Sequence, residues 1–225
     1  GSRAMAGRFD PKALEAKDKD GIPLREAIRE FGGDPDAIPT LKRDPAKVAA
    51  FVETHIEQGP VLLDDGLAVG VVTAISGCTR VRARVTGVAG HAGTVPMPLR
   101  QDALAAAAEM TLAVETYCCA RADRIVGTVG KLAVDGEGAI NVIPGGVNFT
   151  VDVRSPDDAE RRAAAEAIRA DCEDIAESRG VALAWDAFFE LQSAPCDPRL
   201  MTLLGQCVAA RGLPVRTLPS GECSA

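Results

Sequence analysis

The chain has only two histidines, and each lies in a segment whose neighbours could give it a chemical role. His55 lies beside carboxylates in the segment 53–60 (ETHIEQGP). A neutral imidazole in such a setting could bind zinc, manganese or nickel. A surface or capping histidine explains the same pattern without a metal. Two histidines cannot make a histidine-rich metal site, so His55 predicts one ligand and no more.

The second histidine, His91, lies among small residues in the segment 90–97 (GHAGTVPM). Small neighbours allow a ligand or another backbone to approach closely. An imidazole presented in this way could donate a hydrogen bond to the oxyanion of a tetrahedral intermediate. The alternative is a tight turn whose histidine is merely exposed.

An asparagine and an arginine form the next pair of candidates. Asn141 opens the segment 141–146 (NVIPGG), which precedes a predicted strand that ends at Arg154. The amide offers a donor and an acceptor, and the guanidinium fork fits a carboxylate with two hydrogen bonds. A turn asparagine and a strand-end arginine paired with Asp152 or Asp157 would explain the same residues.

The elements that must position these residues begin near Thr79. Apolar and polar residues alternate over 80–86 and 148–154, which predicts half-buried strands. Asp102 opens an alanine-rich helix to about Cys119, and Asp157, with Glu160 three residues later, predicts the capping box of a second helix. Further strands are predicted at 125–134 and 181–185. The order β-α-β-β-α-β predicts an α+β, ferredoxin-like unit.

The flanking segments differ from this unit. Residues 6–50 are polar and interrupted by proline and glycine, with a helix predicted near 24–31 and a short one after Asp44, and residues 69–75 read as a buried strand. Asp197-Pro198 starts another helix, and 215–218 predicts a strand. We therefore expect an inserted domain at 77–190, flanked by two parts of another domain at 1–76 and 191–225.

Composition excludes several classes of function. The formal net charge is −7, which argues against a nucleic-acid partner, because such binding requires basic residues to neutralise phosphates. No apolar run approaches the roughly 18–20 residues of a membrane helix, and no secretory signal is recognisable. Seven cysteines, an odd number without a C-x-x-C pair, predict reduced thiols rather than a disulfide framework. We expect a cytoplasmic protein with no membrane partner.

Taken together and in this order, the segments 55–60 (HIEQGP), 90–94 (GHAGT), 141–144 (NVIP) and 152–154 (DVR) resemble one enzyme group. It comprises the N-carbamoyl-L-amino acid hydrolases, the allantoate amidohydrolases and β-ureidopropionase, within the aminoacylase and carboxypeptidase superfamily of metal-dependent amidohydrolases. The resemblance extends from roughly Gly7 to Leu218. It implies hydrolysis of the ureido or amide C–N bond of a small carboxylate substrate, with two divalent ions of zinc, manganese or nickel.

The resemblance also implies roles for domains and residues. The inserted unit matches a dimerisation domain that forms a homodimer, and the flanks match an α/β metal-hydrolase catalytic domain. His55 matches a metal ligand and Gln58 a substrate-binding position. His91 matches a catalytic, substrate-binding histidine that is donated to the neighbouring subunit. Asn141 and Arg154 match the pair that holds the substrate carboxylate.

The chain also departs from the group. The group's bridging aspartate, a further histidine ligand and a Glu-Glu pair lie upstream of the matching region, and nothing in residues 1–50 replaces them. The stretch Pro219-Ser220-Gly221 runs into Glu222 to Ala225 without the group's closing histidine motif. Leu63 and Val95 are smaller differences. We therefore expect this chain alone to be inactive and to bind metal weakly or not at all.

Two other functions stay open at this point. The chain could be a dimerisation module without catalysis, which keeps self-association only. It could also belong to an aminoacylase-like or dipeptidase-like relative that cleaves an ordinary amide, although the hexapeptide 55–60 disfavours this.

Overall fold

The computed structural model describes residues 2–221, and the chain divides into two compact units, Gly1–Ile56 and Glu57–Ala225. The first unit contains the short helices α1 (Ser2–Met5) and α2 (Leu24–Glu30). The rest of its regular structure is three 3-10 turns, Pro11–Glu15, Pro35–Leu41 and Pro45–Lys47. Each turn follows an aspartate whose side chain accepts a backbone N–H, with proline at the first position. The short helix predicted after Asp44 is therefore a single 3-10 turn.

The second unit contains the remaining helices and all named strands. Its helices are α3 (Val61–Asp64), α4 (Ala103–Cys119), α5 (Asp158–Ser178) and α6 (Pro198–Ala209). Its strands are β1 (Val71–Ile75), β2 (Gly77–Thr86), β3 (Gly90–His91), β4 (Val126–Val134), β5 (Val142–Ile143), β6 (Gly146–Ser155), β7 (Ala182–Leu191), β8 (Ala194–Pro195) and β9 (Thr217–Ser220). No helix in the described part of the chain is both long and apolar enough to cross a membrane.

A four-stranded antiparallel sheet in the order β4-β6-β2-β7 forms the centre of this unit. Strands β2 and β6 pair without interruption from Gly77 opposite Ser155 to Thr86 opposite Gly146. With α4 and α5 as crossovers, this is the order of a ferredoxin-like split βαβ fold. The predicted fold class is confirmed.

The core lies between this sheet and the helices α4 and α5. Every second residue of β2 and β6 faces the helices and is almost fully buried, as expected for a sheet with one covered face. The main contributors are Val81, Ala83, Val85, Val147, Phe149, Val151, Val153, Met110, Val114, Ile168 and Cys172. The alternate residues of the two strands, mostly arginines, threonines, an asparagine and Asp152, occupy the face opposite α4 and α5.

Aspartate caps start both crossover helices, as predicted. Asp157 accepts hydrogen bonds from the backbone N–H groups of Ala159 and Glu160, at 2.7 and 3.0 Å. The predicted capping box is nevertheless wrong in its second half. The Glu160 carboxylate accepts from Arg124 at 3.0 Å, and the Asp157 N–H donates instead to the Ser155 hydroxyl at 3.1 Å. Arg124, which is distant in sequence, thus takes the place of the Asp157 N–H as the partner of Glu160.

A buried arginine joins α5 to the sheet. Arg161 has no solvent exposure, and its guanidinium donates to Asp158 at 3.1 Å, to Glu190 at 2.7 Å and to the Thr79 hydroxyl. These bonds connect the first turn of α5 to β2 and β7. Because Arg161 is fully buried, its charge depends on these acceptors for compensation.

The segments on either side of the ferredoxin-like unit meet in a second, three-stranded sheet in the order β8-β1-β9. Strand β1 is antiparallel to β8 and parallel to β9. The chain passes between the two sheets at Gly77, where a Cβ atom would lie 2.6 Å from the Asp158 carboxylate and 2.8 Å from the Leu191 carbonyl oxygen. Asp158 also accepts a hydrogen bond from the Ser193 N–H at 3.0 Å. It therefore contacts the chain at both connections between the two sheets, near Gly77 and near Ser193. The predicted domain boundaries at 76 and 190 stay predictions.

Candidate substrate site

His91 and Asn141 lie together on a short ribbon beyond one end of the four-stranded sheet. Strand β3 pairs with β5 and prolongs the β2–β6 ladder. The prolonged ladder runs from the Gly87 N–H, which donates to the Gly145 carbonyl at 2.9 Å, to the Ala92 N–H, which donates to the Asn141 carbonyl at 2.9 Å. Two of the predicted site residues are therefore brought together by backbone pairing.

The His91 side chain is exposed and its tautomer is fixed by a neighbour. The Gly93 backbone N–H lies 3.1 Å from His91 Nδ1. Because an amide N–H can only donate, Nδ1 is the acceptor, and the proton of the neutral imidazole is assigned to Nε2. A Cβ atom at position 93 would lie 3.3 Å from the imidazole, so glycine keeps this contact open. His91 thus presents an N–H donor outward, as an oxyanion-stabilising residue requires.

Sequence reasoning missed Arg100, which holds the His91 loop in place. Its guanidinium donates to the carbonyl oxygens of Ala92 at 2.6 Å and Val95 at 3.1 Å, and the group is partly buried. The Thr94 and Val95 N–H groups in turn donate to the His91 carbonyl. Because the partners of Arg100 are backbone carbonyls, no pattern of residue types could indicate them.

Arg154 lies at the other end of β6 and is engaged by a carboxylate. Its Nε and Nη2 donate to the two oxygens of Asp152 at 2.8 and 2.9 Å, and its Nη1 donates to the Gly221 carbonyl at 2.6 Å. The pairing with Asp152 is thus one of the alternatives that the sequence left open. The edge of the guanidinium formed by Nε and Nη2 is used by Asp152, and Nη1 is used by the Gly221 carbonyl. A carboxylate ligand would therefore share these nitrogens with their present partners.

Asp152 receives a second arginine, because Arg80 Nε donates to the same carboxylate at 3.1 Å. Partial burial alone would raise the pKa of Asp152. The hydrogen bonds from Arg154 and Arg80 outweigh that effect and hold the pKa below its ordinary value. Asp152 is therefore a stable anion at neutral pH and keeps both guanidinium groups close to it.

The predicted carboxylate-binding pair, Asn141 and Arg154, is not adjacent within one chain. Gly146 and Arg154 are eight residues apart on β6, and a rise of roughly 3.3 Å per residue separates them by about 25 Å. Asn141 precedes Gly146 and lies on the ribbon beyond that end. Three of the predicted site residues therefore fall into two groups at opposite ends of one strand, with His91 and Asn141 beyond one end and Arg154 at the other.

Gln58 lies just before α3 and adopts a left-handed backbone conformation, with φ of 51°. A non-glycine residue is uncommon there and marks a constrained position. Its neighbour Glu57 explains the constraint, because the Glu57 carboxylate accepts from the N–H groups of Val61 at 2.8 Å and Leu62 at 3.0 Å. In the first unit, His55 Nε2 lies 3.0 Å from the Glu53 carboxylate.

Across residues 2–221, no three histidine, cysteine or acidic side chains converge closely enough to hold a metal ion. These residues therefore do not fit the two-metal centre that the resemblance implies, and no chemical step is derived through a metal. The role of His55 as a ligand stays a prediction. The stretch 222–225, where the group's closing motif is replaced, lies outside the described residues.

Known proteins match this chain closely in sequence. Residues 73–180 match the family of the peptidase dimerisation domain. The N-carbamoyl-L-amino acid amidohydrolase of Geobacillus stearothermophilus is 42% identical over 98% of this chain and 54% of its own length. The allantoate deiminase of Arabidopsis thaliana is 38% identical over 89% of this chain and 42% of its own. The chain is a homologue of these amidohydrolases.

Solved structures agree with this homology. A hydantoinase/carbamoylase family amidase from Burkholderia ambifaria superposes with a TM-score of 0.89 at 36% identity, over 99% of this chain and 53% of that one. AtUAH, solved in complex with (S)-hydroxyglycine, has a TM-score of 0.69 at 33% identity, over 99% and 54%. The resemblance inferred from the motifs is confirmed, and the chain spans about half the length of the curated relatives it matches.

The assigned tautomer and the role of Arg100 predict a result in histidine NMR spectra. We expect the His91 ring to show a protonated Nε2 and an unprotonated, hydrogen-bonded Nδ1. In Arg100→Met the loop loses two bonds from a charged donor, and the ring should shift toward a mixture of tautomers. His55, the other histidine, serves as an internal reference and is assigned with a His55→Asn variant. Unchanged His91 ring shifts in Arg100→Met would refute the positioning role.

Proposed function

We propose that this chain is the dimerising and substrate-clamping half of a metal-dependent amidohydrolase. Its reaction is hydrolysis of the ureido C–N bond of N-carbamoyl amino acids or allantoate. The observation that carries the proposal is the ribbon that presents His91 Nε2–H beside Asn141, in a chain whose relatives are named for these reactions. On this basis His91 stabilises the oxyanion that develops on the carbonyl oxygen when the ureido carbon is attacked.

Arg154 is proposed to bind the carboxylate of the substrate. AtUAH has been solved with (S)-hydroxyglycine and with glyoxylate, and both ligands carry a carboxylate. The planar guanidinium of Arg154 carries five N–H donors in a fork whose geometry fits a carboxylate. Binding energy at the carboxylate, remote from the reacting carbon, would fix the orientation of the ureido group. Gln58 is proposed as a further substrate contact.

Because about 25 Å of strand β6 separates the two groups of residues, we propose that the complete site uses two protomers. A carbamoyl amino acid is far too short to reach from Arg154 to the ribbon of the same chain. His91 and Asn141 of one protomer would then act on the substrate that Arg154 of the other protomer holds. The site is incomplete without a second copy.

We propose that α4 and the edge strand β4 form the homodimer interface. The outward side of α4 carries Leu112, which is 61% exposed, between Glu109 and Glu115, whereas the outward side of α5 is denser in arginine and acidic residues. On β4, Val126 is 57% exposed, next to unpaired backbone groups of the sheet edge. A second copy related by a two-fold axis would cover both features, which gives a closed isologous dimer.

The metal ions are proposed to be zinc, manganese or nickel, with His55 as the one ligand that this chain supplies. Because the chain matches about half the length of its relatives, the 225-residue chain is proposed to be inactive by itself. The six cysteines in the described residues are free thiols, which supports the proposal of a reducing, cytoplasmic setting.

The second candidate is a dimerisation module without catalysis, favoured by the match of residues 73–180 to the peptidase dimerisation domain. The two candidates differ in whether the dimer still binds a ureido carboxylate. Loss of that binding together with intact dimers would favour the module.

The proposed interface predicts that Leu112→Glu separates the protomers. A third carboxylate between Glu109 and Glu115, buried at the contact without a cation, is strongly unfavourable, so we expect the mass in solution to fall to that of a monomer. Light scattering after gel filtration measures this directly. The control is Ala170→Glu on the exposed side of α5, which should remain dimeric. A dimeric Leu112→Glu protein would rule out α4 as the interface.

The proposed activity predicts that a chimera is active. In the chimera this chain replaces the matching 54% of the Geobacillus stearothermophilus amidohydrolase. We expect hydrolysis of N-carbamoyl amino acids by the chimera and none by the isolated chain. Arg154→Met should lower kcat/KM by on the order of a hundredfold, because it removes a charged carboxylate contact. Arg169→Met on α5 is the control. Equal kcat/KM for Arg154→Met and the parent chimera would contradict the proposal, as would turnover by the isolated chain.

A further inference from the structure

A second guanidinium, that of Arg80, lies beside Arg154 on the sheet face opposite α4 and α5. Arg80 Nε and Arg154 Nη2 both donate to the same oxygen of Asp152, at 3.1 and 2.9 Å. Arg154 Nε binds the other oxygen at 2.8 Å, so Arg154 alone already satisfies both oxygens of this carboxylate. Two cations share one anion here, and the cluster keeps a net positive charge in a chain whose net charge is −7.

Arg80 is held so that its terminal amino groups stay available. Its guanidinium lies over the Phe189 ring, 5.1 Å from the centroid, and Phe189 is its cross-strand neighbour on β7. The bond to Asp152 uses Nε, one of five N–H groups, and the other four belong to the terminal nitrogens. The side chain is 40% exposed, so a ligand can reach it.

Neighbouring arginines on the same face are arranged differently. Arg84 pairs with Asp135, one cation with one carboxylate. Arg82 stacks on Phe188 at 3.9 Å, without a shared aspartate. Among these arginines, only Arg80 and Arg154 share one carboxylate.

We propose that Arg80 is a specificity-determining residue that binds the side-chain carboxylate of an acidic substrate, while Arg154 binds its α-carboxylate. The substrate class is then N-carbamoyl derivatives of dicarboxylic amino acids, such as N-carbamoyl-L-aspartate. This inference rests on the proposed function, because it requires Arg154 to hold the α-carboxylate. A charge-assisted pair with Arg80 would favour the acidic side chain over its uncharged isostere.

The test compares N-carbamoyl-L-aspartate with N-carbamoyl-L-asparagine, which has nearly the same size and lacks the second charge. Dissociation constants are measured by NMR titration of the full chain at low ionic strength, where screening of exposed charges is weak. We expect the aspartate ligand to bind about tenfold tighter. Arg80→Met should remove this preference and leave the affinity for the asparagine ligand unchanged.

Arg82→Met is the matched control, because Arg82 lies two residues away on the same strand and face and the variant loses the same charge. It should keep the preference. Arg80→Gln retains a donor for Asp152, so it tests whether loss of the preference comes from a folding defect rather than from loss of the charge. This variant should also lose the preference. A preference that survives in Arg80→Met and Arg80→Gln would overturn the inference, as would equal loss in Arg82→Met. Unchanged affinity for the asparagine ligand in Arg154→Met would instead refute the proposed role of Arg154.

Discussion

The pairing of β6 on both of its sides is the constraint on which the rest of this structure depends. The strand is hydrogen-bonded to β2 along its full length and to β4 along most of it, and Phe149, Val151 and Val153 bury its helix-facing side. A slip of one residue would turn these side chains toward solvent, so the register is strongly specified. Asp152 and Arg154 must then project from the other face, opposite Arg80 and Cys78. The same register fixes the ribbon of His91 at the far end of the strand.

The length of β6 is the observation on which the proposed need for a second protomer rests. Asn141 and Arg154 are close in sequence, yet the strand between them keeps them apart. Under the proposed function, the two ends serve one small substrate only when two copies combine, and Leu112 on the outer side of α4 lies on the surface proposed to join them. The proposal therefore makes dimerisation and substrate binding aspects of one arrangement, in a chain whose residues 73–180 match the peptidase dimerisation domain.

Local features of this fold were predictable from sequence, and contacts between distant residues were not. The alternation in β2 and β6 and the caps Asp102 and Asp157 depend on neighbouring residues, and all were found. The bond from Arg80 to Asp152 spans 72 positions and that from Arg161 to Thr79 spans 82. For such contacts, single-sequence patterns contain no signal. The motifs around His91 and Arg154 identified the candidate residues, but their separation along β6 became evident only from the structure.

The central claim is that His91 of one protomer and Arg154 of the other serve the same site, and mixed dimers test it most directly. Two inactive chimeras, one with His91→Ala and one with Arg154→Met, are dissociated, mixed in equal amounts and allowed to reassociate. If the site is shared, each mixed dimer contains one intact site, and random association should restore about a quarter of the parent activity. If each site used only residues of its own chain, no mixed dimer would contain an intact site. Activity that stays at the level of the separate variants, with mixed dimers verified by mass spectrometry, would contradict the account.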